Sequence, residues 1–176
     1  GLGKTVVMAE VVADLYRDGL IRENRVLVLA DKRELIRQLQ FGFWHQLPKW
    51  VPTHMLSGDE TPSFYDGITF ATVQSIIGRV DDLPNFGLVL VDEAHHIGSA
   101  SFRRALAALE PPMVGGATAT PWRGDGFDID ELLGKPLVRL GISDGLRQKY
   151  LCEVDYRLLA DNVDWEFVQE ISSHNY

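Results

Sequence analysis

The chain has 176 residues, with 45% hydrophobic and 24% charged content and a formal net charge of −8, as expected for one α/β domain with a short appendage. That charge excludes general electrostatic adhesion to nucleic acid as the main activity, while leaving room for a local groove that grips phosphates. The single cysteine, Cys152, excludes an internal disulfide framework and a cysteine-rich zinc site, and no apolar run is long enough to span a bilayer.

The opening residues, Gly1-Leu2-Gly3-Lys4-Thr5, form the back half of the phosphate-binding pattern GxxxxGK[ST]. Gly1 and Gly3 belong to the backbone cradle. Lys4 is placed to reach β- and γ-phosphates, and Thr5 offers a hydroxyl to Mg²⁺. Because the pattern starts midway, the sequence is expected to be a fragment of a larger protein. A helix is predicted over residues 6–17, with Val7, Val11, Val12 and Leu15 on its apolar face and Met8 and Tyr16 as packing residues. Loop followed at once by helix is the context that phosphate binding needs, since the helix N-terminus adds unpaired N–H groups.

Residues 25–30 (RVLVLA) read as a buried parallel strand. A helix then carries Leu35, Ile36, Leu39 and Phe43. Lys32 and Arg33, just past the strand's end, are candidates for contact with a nucleic-acid backbone. Phe41, Phe43, Trp44 and Trp50 read as a cluster packing helix against sheet, with base-stacking residues as the alternative. A short strand near residue 53, a turn-rich loop over 57–67 and a strand over 68–71 follow. Thr72 and Gln74 then open a short helix and are further candidates for phosphate contact.

Residues 88–96 (LVLVDEAHH) are the centre of the chain. A continuous apolar run ends in two carboxylates, as in a buried strand whose C-terminal edge faces a ligand site. Asp92 is suited to Mg²⁺, and Glu93 to orienting and deprotonating a hydrolytic water. A helix over 101–109 leads to a strand over 113–117, then to Thr118-Ala119-Thr120-Pro121-Trp122-Arg123. Thr118 or Thr120 meeting His95 would couple two loops, and Arg123 is a candidate contact for phosphate or the acidic loop. Beyond residue 127 the pattern weakens: a loop and strand-like run over 132–140, a helix over 142–150 and an edge strand over 153–159 are expected. Basic residues are concentrated early: residues 1–50 hold eight Lys/Arg against six Asp/Glu, and 151–176 one against six.

Taken in order, GLGKT, LVLADKRELIRQ, ITFATVQSI, VDEAHH and GGATATPWR resemble the motifs of superfamily 2 DEAD/DEAH-like helicases and translocases. The resemblance is to the ResIII type of motor domain, which includes type I and type III restriction motor subunits and the UvrB and XPB repair proteins. It implies an α/β, RecA-like P-loop NTPase fold with a mostly parallel central sheet and helices on both faces. Residues 1–160 would be the first RecA-like domain, and 161–176 a linker or the start of the next unit. It further implies ATP and Mg²⁺ as cofactors and ATP hydrolysis driving movement on DNA. In those roles Lys4, Asp92 and Glu93 are catalytic, and Gly1, Gly3, Lys4 and Thr5 bind nucleotide. Thr5 and Asp92 hold the metal, and Lys32, Arg33, Thr72 and Gln74 meet nucleic acid. His95, Thr118, Thr120 and Arg123 couple the two sites.

The implied partners are DNA, a second RecA-like domain that supplies an arginine finger, and restriction or repair subunits. The implied location is the cytoplasm (intracellular, with the nucleoid or nucleus depending on the organism), away from membranes. Without that second domain, weak or absent turnover is expected of this piece alone. Two alternatives stay open: a nucleotide-gated nucleic-acid-binding module without productive turnover, and an RNA-directed helicase.

Overall fold

The computed structural model of the chain describes residues 2–121, 127–153 and 155, and divides into two compact units, Gly1–Arg139 and Leu140–Tyr176. In the first, short runs of valine, leucine and isoleucine, too brief for buried helices, become strands. These are β1 (Arg25–Ala30), β2 (Thr53–Leu56), β3 (Gly67–Thr72), β4 (Leu88–Asp92) and β5 (Val114–Ala117). They join as one sheet of order β2-β3-β1-β4-β5, with parallel pairing throughout. Parallel strands need crossovers, and these carry the helices: α2 (Arg33–Trp44), α3 (Val73–Ile77) and α4 (Ala100–Leu109), with α1 (Lys4–Arg17) before β1 and α5 (Asp130–Leu133) after β5.

Side-chain alternation along the strands divides the core in two. Val26, Val28 and Ala30 of β1 join Met8, Val12, Leu39 and Phe43 beneath α1 and α2. Leu27 and Leu29 join Val73, Ile76, Phe102 and Ala105 beneath α3 and α4. Both sheet faces are therefore covered by helices. Burying Leu27 and Leu29 completely contributes roughly 1.5–3 kcal/mol for each side chain. Phe43 meets Phe70 edge-on, with ring centroids 5.2 Å apart.

Several local expectations are corrected. The buried side of α1 is Met8, Ala9, Val12, Ala13 and Tyr16, while Val7 and Val11 are exposed. Met8, Val12 and Tyr16 recur every fourth residue, and the alanines between them let the helix lie close to the sheet. Of the aromatic cluster only Phe43 is buried; Phe41, Trp44 and Trp50 are 59%, 51% and 70% exposed. Trp44 keeps its indole N–H bonded to Thr53 Oγ1 at 2.8 Å, and Trp50 touches Tyr16 edge-on. After α5, residues 134–141 contain no strand; Pro136 has no N–H to give a ladder.

In the second unit, α6 (Ile142–Arg147) is shorter than the periodicity suggests. Lys149 has φ 60° and the Tyr150 N–H returns to the Gly145 carbonyl at 2.8 Å, which closes the helix. The edge strand expected over 153–159 falls largely outside the described residues.

Candidate active site

Parallel strands in register bring their C-terminal ends to one edge. Ala30 pairs with Thr72, Leu29 with Val91 across the other neighbour, and Asp92 with Ala117. Asp31, Thr72, Asp92, Glu93 and Thr118 therefore share the edge where α/β sheets hold ligands. The loop before α1 is brought to it by Gly3, which caps the helix with a left-handed backbone (φ 77°), a conformation that glycine adopts without steric cost.

At that edge Lys4 Nζ donates to Glu93 Oε1 at 2.7 Å, with both side chains about a third exposed. The other carboxylate oxygen, Oε2, lies 3.3 Å from His95 Nδ1. The same ring nitrogen is 2.9 Å from Thr118 Oγ1 and 3.3 Å from Thr120 Oγ1. Thr118 Oγ1 also accepts the Thr120 N–H at 3.1 Å, which fixes the end of β5. A continuous polar line thus runs from the α1 loop, through the β4 turn, to the segment after β5. Glu93 itself is left-handed (φ 48°, ψ 53°), an uncommon conformation for a residue with a side chain.

Burial raises the carboxyl of Asp92 above its ordinary range; the Glu93 backbone N–H and the Lys4 ammonium oppose that shift, while the charges of Glu93 and Asp31 add to it. Asp92 thus has two further acids, Glu93 and Asp31, near enough to act on it, with Lys4 as the opposing charge. Thr5, which follows Lys4 in the first turn of α1, and Asp92 carry a hydroxyl and a carboxylate, hard oxygen ligands of the kind Mg²⁺ takes in ones and twos beside phosphate oxygens and water. The residues present therefore fit that ion.

The candidates for nucleic-acid contact are placed unequally. Lys32 and Gln74 are exposed at the sheet edge. Arg33 instead directs a guanidinium nitrogen to the Asp59 carboxylate, so its charge is already paired. Thr72 caps α3 by accepting the Ser75 N–H. Thr72, Gln74 and Ser75 line a cleft of about 350 Å³ together with Gly58, Gly78 and Arg79. Arg79, which also bonds Thr61, was not singled out by motif reading; its place one helical turn after Ser75 was the available signal. Asp31 likewise escaped notice, although it directly follows an apolar strand. Gly1 and Arg123 lie outside the described residues.

Residues 1–123 match the family described as "Type III restriction enzyme, res subunit". The chain is 28% identical over 178 residues to a Saccharomyces cerevisiae protein carrying the provisional name of ATP-dependent helicase IRC3, covering 93% of this chain and 25% of that one. It is 27% identical over 164 residues to the DNA 3'-5' translocase XPB2 of Sulfurisphaera tokodaii, covering 90% of this chain and 34% of the relative. The chain thus spans between a quarter and about a third of these relatives. Among solved structures, the Hef helicase domain of Pyrococcus furiosus superposes with a TM-score of 0.59 at 26% identity, over 76% of this chain and 31% of that one. The Type ISP restriction-modification enzyme LlaGI, solved with a DNA substrate mimic, superposes with a TM-score of 0.61 at 19% identity, over 84% of this chain and 18% of that one; at that identity it speaks for the fold alone.

Proposed function

Because the chain belongs to the family of the type III restriction enzyme res subunit, we propose that it is the ATP-binding motor domain of a DNA helicase or translocase. Residues 1–160 serve as its first RecA-like domain, and 161–176 lead on as a linker or the start of the next unit. The observation that carries this reading is the line Lys4–Glu93–His95–Thr118, which joins a phosphate-loop lysine to a carboxylate and the carboxylate to a neighbouring strand end.

The chemistry follows from those groups. Lys4 leaves Glu93 for the phosphates of ATP, and Glu93 is then free to accept a proton from water. As that water's oxygen bonds to the γ-phosphorus, the bond to the β–γ bridging oxygen breaks, giving ADP and phosphate. Thr5 and Asp92 are the residues that would hold Mg²⁺, which when bound neutralises charge on the β- and γ-phosphates. His95 passes any displacement of Glu93 to Thr118 and Thr120. A second RecA-like domain closes over the site and supplies the arginine that stabilises transition-state charge.

Lys32, Arg33, Thr72 and Gln74 meet the backbone of the nucleic acid, Arg33 by exchanging its exposed pair with Asp59 for a phosphate, so the domain reads no base sequence. DNA is favoured over RNA by the XPB2 relative's name as a DNA translocase. Restriction or repair subunits are the partner class that follows from the family. No helix among the described residues is long and apolar enough to cross a membrane. The cytoplasm is the location that goes with the reading as an ATP-driven motor on DNA.

The test is ATP turnover by the whole protein with and without DNA. DNA should raise turnover, and Lys4→Ala should reduce it by roughly 100-fold or more. Turnover indifferent to both DNA and Lys4 would refute the proposal.

A further inference from the structure

The magnesium-site threonine has a side chain with two branches, and the structure shows what holds one of them. Thr5 lies in the first turn of α1, and its methyl group, Cγ2, is lodged against Gly42 in the last turns of α2. A Cβ placed on Gly42 would stand 2.5 Å from Thr5 Cγ2 but 3.6 Å from Thr5 Cβ. The first distance is an overlap; the second is ordinary van der Waals contact. Glycine inside a helix weakens it relative to alanine. The close approach of α1 to α2 is what this glycine permits.

We propose that Gly42 is a positioning residue for the nucleotide site, acting by fixing the side-chain rotamer of Thr5. This rests on the reading of Thr5 as the Mg²⁺-site hydroxyl. Threonine in a helix is not confined to one χ1 well as valine and isoleucine are, because its hydroxyl can also turn toward a backbone carbonyl. The pocket over Gly42 accepts the methyl and so selects one well. With Cγ2 seated there, Oγ1, on the same tetrahedral carbon, is held in one direction. A methyl group at position 42 removes that seat. Thr5 then relieves the overlap by turning about χ1, which costs the fold little but swings the hydroxyl away from its place. Serine carries the hydroxyl without the methyl, so it is indifferent to what occupies position 42.

The experiment is a double-mutant cycle in the whole protein: Gly42→Ala, Thr5→Ser and the pair, each measured for ATP binding across a Mg²⁺ titration and in EDTA, and for thermal melting. In the Thr5 background, Gly42→Ala should weaken Mg²⁺-dependent binding by about tenfold, a coupling of the size contacting residues show. Binding in EDTA should change by less than about twofold, and the melting temperature should hold or rise. In the Thr5→Ser background, adding Gly42→Ala should leave the Mg²⁺ midpoint within about twofold.

Equal losses in both backgrounds, or a loss that tracks a lowered melting temperature, would overturn the inference. So would wild-type Mg²⁺ dependence in Gly42→Ala. Lys4→Ala separates this from the wider reading. If wild-type binding of ATP does not need Lys4, the nucleotide site itself is wrong; if it does and the cycle shows no coupling, only the role of Gly42 falls.

Discussion

Glu93→Gln should move ATP binding and ATP turnover in opposite directions. The 2.7 Å ion pair between Lys4 and Glu93 must open before the lysine can reach phosphate, so part of the binding energy of ATP goes into breaking it. Two unit charges about 4 Å apart attract by roughly 4 kcal/mol at an effective dielectric of 20. Both side chains are about a third exposed, however, and solvent screening with side-chain ordering reduces the net value of such a pair to about 0.5–1 kcal/mol. Removing the charge while keeping the shape should therefore tighten ATP binding by roughly two- to fivefold. Loss of the group that takes the proton from water should slow hydrolysis by about 10²–10⁴-fold. Equilibrium binding of a fluorescent ATP analogue, read beside phosphate release under single-turnover conditions, measures both. Weaker binding by Glu93→Gln would refute the competition argument, and hydrolysis within about threefold of wild type would refute the assignment of Glu93 as the base.

Two predictions concern the fold that carries the site. Gly67 begins β3 with φ 94°, and a Cβ there would stand 2.2 Å from the Pro52 carbonyl oxygen; Gly67→Ala should cost at least about 2 kcal/mol in urea unfolding through backbone strain and steric displacement, and a loss under about 0.5 kcal/mol would contradict the contact. Tyr16 donates its hydroxyl to the Asn24 carbonyl, and burial first, then the Asp66 charge, pushes its ionisation well above the ordinary value. The folded state thus holds this proton more tightly than the unfolded chain. Its contribution is complete below about pH 10 and declines as pH rises from there toward the folded-state value. Tyr16→Phe should therefore lose about 0.5–1.5 kcal/mol near neutral pH and show a smaller alkaline decline than wild type in the same unfolding assay.

Strands proved legible where their composition left one option. RVLVLA and LVLVD are too short and too uniformly apolar to be anything but buried parallel strands, and β1 and β4 occupy those residues. Helix faces were harder. α1 carries valines at positions 6, 7, 11 and 12, so more than one apolar stripe can be drawn. The alanines at 9 and 13, which decide how close the helix lies to the sheet, carry little hydrophobic signal. Pairings distant in sequence were readable only where motif order named both partners, as for His95 with Thr118 and Thr120. Lys4 and Glu93 are separated by 89 positions, and Arg33 and Asp59 by 26. Motif chemistry names the first pair as neighbours of one ligand but gives no reason for direct contact. In the second, an arginine that reads as a phosphate contact also meets an aspartate from a distant loop, a partner that no motif names.

The adjacency of Asp92 and Glu93 is itself at odds with strand geometry. Successive strand residues face opposite sides of a sheet, and an extended Glu93 would follow Val89 and Val91 toward the core beneath α3 and α4, whereas α1, which bears Lys4, packs on the other side. The left-handed backbone at Glu93 breaks the alternation and turns the carboxylate across the sheet edge to the lysine. That turn needs somewhere to rest. Ala94 is buried beside Gly116 of β5, where an added Cβ would come within 2.7 Å of the Ala94 methyl. A side chain at 116 would lift the turn off β5 and carry Glu93 and His95 with it. The glycine in one strand and the left-handed glutamate at the end of its neighbour therefore act as one device, which brings the second of two consecutive acids across the sheet edge to Lys4.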